Sequence, residues 1–131
     1  MSSVLPEPAE SNQRYDVFAR ACPARELHDR ISSKWVSLVM NALSDDERRF
    51  SDLSRCIAGV SQKMLTQTLR TLERDGLISR SVITSRPLQV SYGLTPLGKS
   101  LLPVFRAIKQ WAEAHIEEVY ESRADFEEQY G

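Results

Sequence analysis

Five polar residues, Gln62, Lys63, Thr66, Gln67 and Arg70, recur at three- and four-residue spacing, interleaved with the apolar positions Met64, Leu65, Leu69 and Leu72. On a helix this pattern separates a polar face from an apolar one. The polar face offers amide and hydroxyl groups that both donate and accept, together with cations that donate only. That is the chemistry needed to meet base edges in a DNA major groove. Gln62, Lys63 and Gln67 are assigned to bases. Thr66 and Arg70, with Arg49, Ser51 and Arg86 from elsewhere in the chain, suit phosphate or sugar contacts that fix register, and Arg86 could also probe a minor groove. A merely solvated helix face has the same composition, so these residues gain meaning only from the elements around them.

Those elements are legible on both sides. Ser51 is placed to cap a short helix carrying Leu53 and Ile57, which stops at Gly59. Val60-Ser61 opens the longer polar-faced helix, and Asp75-Gly76 closes it. A short helix, a tight turn with glycine and a second helix with a basic outer face form a helix-turn-helix. Leu77–Ile83 and Leu88–Tyr92 are β-prone runs joined by Thr84-Ser85-Arg86-Pro87, which predicts a hairpin wing with an arginine at its tip.

Upstream, Leu27, Ile31, Trp35, Leu38, Val39 and Leu43 predict one amphipathic helix or two, with a join near Ser32-Ser33. Downstream, Thr95-Pro96 starts a helix whose stripe runs from Leu97 to Val119 and which is expected to end near residue 121, with Pro103 as a candidate kink. This stripe is longer than a small core needs, so Phe105, Trp111 and Ile116 are assigned to a dimer interface. Residues 1–20 are expected to be a loose arm, 21–122 the domain with its dimerisation helix over about 95–121, and 123–131 an acidic tail. The fold class is therefore mainly α with a small β-hairpin wing, dimeric through its N- and C-terminal helices.

Charge supports this placement. The net charge is -1, but Arg48–Tyr92 holds eight basic and three acidic residues (8 - 3 = +5), whereas Trp111–Gly131 holds one basic and seven acidic (1 - 7 = -6). The middle of the chain favours phosphates and the end avoids them. Arg74 and Arg80 are expected to pair with Glu73 or Asp75, and are left out of the contact set. With 131 residues, 41% hydrophobic and 27% charged, the chain reads as one globular domain. It has no membrane-length apolar run and no secretory signal, so a cytoplasmic location is expected.

Two cysteines, Cys22 and Cys56, are too few for a disulfide framework, and neither has a zinc-ligand partner nearby. A thiol at a helix start is more readily a thiolate, which makes Cys22 the candidate redox sensor, with a structural thiol as its alternative. Cys56 is expected in the core. His28 and His115 specify no metal site, and no cofactor is expected. Trp35 and Trp111 suit either an effector pocket or plain core packing. A thiol enzyme is excluded by the lack of a Cys-x-x-Cys pair, a glycine-rich phosphate loop or a Ser/His/Asp set.

Cys22-Pro23, Lys34-Trp35, Arg49-Phe50-Ser51-Asp52-Leu53, Val60-Ser61-Gln62-Lys63-Met64-Leu65-Thr66, Leu69–Ile78 and Tyr92-Gly93-Leu94-Thr95-Pro96-Leu97-Gly98 occur in order and at characteristic spacing. Over roughly Cys22 to Val119 the chain resembles the HxlR family of winged-helix regulators, relatives of the MarR type. Ser33 and Ser91 depart from residues common in that family, glycine and glutamate, and neither falls on the polar-faced helix. The resemblance implies a cytoplasmic homodimer that binds a near-palindromic double-stranded DNA operator, as a repressor answering to an oxidant or small-molecule effector. A winged-helix module that binds another protein is the alternative, and salt dependence of binding separates the two.

Overall fold

Proline at the first helical position lacks only an N–H that would have no partner there, and Pro23 opens α1 (Pro23–Ile31) in that way. Ser32 ends α1 and Ser33 is the N-cap of α2 (Lys34–Ala42), so the join falls at the serine pair. The computed structural model describes residues 15–83 and 87–131. The remaining elements are β1 (Arg48–Arg49), α3 (Phe50–Cys56), α4 (Gln62–Arg74), β2 (Ile78–Ile83), β3 (Gln89–Leu94) and α5 (Pro96–Tyr130). The result is a mainly helical fold with a small antiparallel sheet, as the apolar periods predict.

The sheet has three strands in the order β1-β3-β2. β2 and β3 form the wing hairpin, with Ile78 opposite Leu94 and Ile83 opposite Gln89. The third strand was not expected, because two residues carry no period. It forms where Arg48 and Arg49 lie opposite Tyr92 and Ser91, and Arg48 Nε donates to the Ala42 carbonyl at 2.7 Å, closing the end of α2. Thr84, Ser85 and Arg86 of the wing tip lie outside the described residues.

One core joins these elements. Val36, Val39, Met40 and Leu43 meet Leu53 and Ile57 of the short helix segment, Leu65, Leu69 and Leu72 of α4, Ile78 of β2 and Phe105 of α5. Phe105 is only 5% exposed and packs within this core, which corrects its assignment to a dimer interface: its ring is already covered within one chain. Cys56 is exposed, because the inward positions around it belong to Leu53 and Ile57. Met64 is also partly exposed and stands at the margin of the apolar face.

Two turns fix how the wing leaves α4. Gly76 has φ +79°, and after it the Leu77 N–H reaches the Leu72 carbonyl while the Gly76 N–H reaches that of Glu73. This left-handed closure satisfies the last carbonyls of α4 and suits glycine. Thr95, the N-cap of α5, accepts from the Gly98 N–H at 3.0 Å and donates to the Gly76 carbonyl at 2.6 Å. The start of α5 is thereby tied to the end of α4.

α5 spans 35 residues to Tyr130, beyond the expected end near 121. The acidic segment is thus the last turns of a helix. Local contacts support it: Phe126 and Tyr130 rings lie 4.9 Å apart, and Arg123 sits over the Tyr120 ring at 5.7 Å. Pro103 does not divide the helix; it is exposed, where water can solvate the carbonyl left unpaired. Among the described residues, no helix is long and apolar enough to cross a membrane.

Candidate nucleic-acid interface

The turn between α3 and α4 depends on Gly59, whose φ of +84° favours a residue without Cβ. Ser61 then caps α4, its hydroxyl accepting from the Met64 N–H at 3.0 Å. Leu65, Leu69 and Leu72 lock one face of α4 into the core, and Thr68, also buried there, donates to the Met64 carbonyl at 2.7 Å. The opposite face is left to solvent, and its orientation is set by that packing.

On the open face, Gln62, Lys63, Thr66, Gln67 and Arg70 together line a shallow depression of about 570 Å³. Gln62, Lys63, Gln67 and Arg70 are exposed and Thr66 is half-buried. All five of the residues read from the helix period therefore come together. Arg49 and Ser51 are exposed at the junction of β1 and α3 and do not line this depression. Ser51 does not cap α3; that position is Arg49, with extended backbone, so Ser51 lies inside the first turn.

The pairing of basic residues differs from the expectation. Asp75, the C-cap of α4, is held by Arg30 of α1, whose Nη1 donates to both carboxylate oxygens at 3.0 and 2.8 Å. The hydrogen bonds to Asp75 raise Arg30 above its ordinary range, against the opposing effect of burial. Neither Arg74 nor Arg80 forms an ion pair among the described residues, whereas Arg55 is engaged by Asp52. The Arg30–Asp75 clamp joins residues 45 apart in the chain, and only their opposite charges hinted at it.

A second cleft, of about 400 Å³, lies between α4 and the sheet, lined by Phe50, Thr66, Arg70, Glu73, Arg80 and Tyr92. It shares Thr66 and Arg70 with the open face of α4.

Cys22 is the N-cap of α1 and is buried, its carbonyl accepting from the Arg25 N–H at 3.0 Å. Trp35 packs on the core, whereas Trp111 is 60% exposed on α5 and stacks on His115 with centroids 4.4 Å apart. Ile116 is 37% exposed. Beyond Phe105, no residue of α5 is buried.

Residues 30–120 match the model of the HxlR-like helix-turn-helix family. The HTH-type transcriptional regulator YtfH of Escherichia coli K12 is 42% identical over 104 residues, covering 79% of this chain and 82% of that protein. The solved structure of the transcriptional regulator ytfH from Salmonella typhimurium superposes with a TM-score of 0.78 at 40% identity, over 84% of this chain and 98% of that one. The redox regulator HypR in its reduced form superposes with a TM-score of 0.68 at 35% identity, over 76% and 98% of the two chains.

Proposed function

The chain belongs to the HxlR-like helix-turn-helix family of transcriptional regulators, and on that premise we propose that it acts as a cytoplasmic homodimer that represses transcription from a near-palindromic operator. The observation that carries this reading is the clustering of Gln62, Lys63, Thr66, Gln67 and Arg70 on the one face of α4 that the core leaves free. In the proposal α4 enters the major groove, Gln62, Lys63 and Gln67 meet bases, and Thr66, Arg70, Arg49, Ser51 and Arg86 hold the backbone.

Phosphate contacts release counterions, so each one steepens the fall of affinity with salt by about 0.9 in a log–log plot. Purified protein titrated onto DNA from its own upstream region is expected to bind selectively and to weaken about 10³-fold or more between roughly 50 and 200 mM salt. Salt-insensitive binding without sequence preference would instead favour a protein-binding module. Cys22 is the proposed sensing thiol, a reading supported by the likeness to a redox regulator. An oxidant should then release the wild-type protein from DNA, and Cys22→Ser should abolish that response.

The dimer is proposed to form through the part of α5 beyond the core, with Trp111 and Ile116 at the contact and the N-terminal helix α1 beside it. Support comes from the exposed apolar residues Ile108, Trp111, Ile116 and Tyr120 on the stretch after Phe105, which has no buried residue. A two-fold pairing would set the two α4 helices about 34 Å apart, one DNA turn. Sedimentation at micromolar protein is expected to return twice the 14.9 kDa chain mass, and Trp111→Glu to return the chain mass. A wild-type monomer would overturn the dimer.

A further inference from the structure

Arg80 and Glu73 belong to the cleft between α4 and the sheet, and neither is part of the polar face described above. Arg80 lies directly opposite Tyr92 across the β2–β3 pair, so the two side chains leave the sheet on the same side. That side faces α4, where Arg70, Thr66 and Glu73 complete the wall. Two arginines from different elements, Arg70 of α4 and Arg80 of β2, thus line one opening. Glu73 lines the same opening, yet among the described residues it pairs with neither arginine. Arg48 also lies opposite Tyr92, but its Nε is engaged by the Ala42 carbonyl.

We propose that this cleft seats one phosphate of the DNA backbone between the Arg70 and Arg80 guanidinium groups, at the point where α4 meets the base of the wing. The inference rests on the DNA-binding reading and adds to it an anchor outside the helix-turn-helix. Guanidinium groups present a planar fork suited to phosphate oxygens. Because the cleft shares Thr66 and Arg70 with the groove-facing surface, a strand passing over it continues the track of the α4 contacts. Glu73 opposes the bound anion and so limits the grip.

The test compares Arg80→Ala, Arg80→Lys, Glu73→Gln, Lys63→Ala and, as a control on an arginine outside the cleft, Arg74→Ala, on operator and on random DNA across a salt series. Arg80→Ala is expected to weaken both DNAs alike, about tenfold at low salt, and to flatten the log–log salt slope by about 2, one contact being lost from each subunit of the dimer. Arg80→Lys should recover part of the affinity and all of the slope, Glu73→Gln should tighten binding about threefold, and Arg74→Ala should leave it unchanged. If Arg80→Ala matches wild type in affinity and slope while Lys63→Ala loses operator binding, the phosphate seat is overturned and the DNA-binding reading stands. If the wild-type protein shows no salt-dependent binding, both fall. An Arg80-dependent rise in Tm with inorganic phosphate at constant ionic strength, together with unchanged DNA affinity, would assign the cleft to a free anion and overturn the backbone seat.

Discussion

Gly98→Ala is expected to cost about 2–3 kcal/mol of stability and to lower Tm by on the order of 10 °C. Gly98 is buried in the first turn of α5, where a Cβ would be driven into the backbone carbonyl oxygen of Leu77. That oxygen accepts from the Thr95 N–H at 3.2 Å, and Leu77 itself closes the end of α4, so the obstacle is a hydrogen-bonded backbone turn and not a side chain that can rotate away. The small gain in helix propensity from alanine, about 1 kcal/mol, is outweighed. Gly93→Ala provides the contrast. Its added Cβ would meet Glu47 Cγ at 2.9 Å, and because Glu47 is exposed its side chain can rotate into solvent, so a smaller loss, on the order of 1 kcal/mol, is expected. Thermal melts of the two variants check the pair. Equal losses would show that the Leu77 turn yields as easily as a glutamate side chain, and that the close approach of α5 does not fix the wing.

Gln67→Ala and Lys63→Ala are each expected to weaken operator binding by about 10- to 100-fold and to relax base preference at one position per half-site, with little effect on random DNA. Both side chains are exposed on the free face of α4, and among the described residues neither forms an ion pair or packs in the core, so their loss leaves the fold intact. A fall in operator affinity can then be attributed to lost contacts. The signature is selectivity: a base contact contributes about 1–3 kcal/mol to the correct sequence alone, whereas a phosphate contact contributes to every sequence. Arg80→Ala, acting alike on both DNAs, is the opposite case. Equal losses on operator and random DNA for Gln67→Ala and Lys63→Ala would remove both from base recognition and return α4 to a general phosphate-binding role.

Where recognition depends on residues within one or two turns of each other, it was open to inspection in the chain itself. Ser61 as a cap, Gly59 and Gly76 at positive φ, Thr95-Pro96 at the start of α5, the break at Ser32-Ser33 and the free face of α4 all follow from neighbours a few positions away. The wing strands were readable for the same reason, although β1 was not, because its two residues become a strand only by lying against Tyr92 and Ser91. An apolar period shows that a stripe will be covered without showing by what. Phe105 and Trp111 belong to the same stripe of α5, yet the first packs in the core and the second stands clear of it. Cys56 faces outward because Leu53 and Ile57 take the inward positions. Charge pairing is decided in the same way: Asp75 lies next to Arg74 in the chain but is held by Arg30, while Arg80 lines a cleft together with Arg70. Turns, faces and the caps of α4 and α5 are set by short-range geometry, and so were determined by the sequence alone, whereas the cap of α3 moved from Ser51 to Arg49 where β1 meets the sheet. Which face is covered, which charges pair and which clefts open depend on where distant elements cross, and that was decided by the tertiary structure.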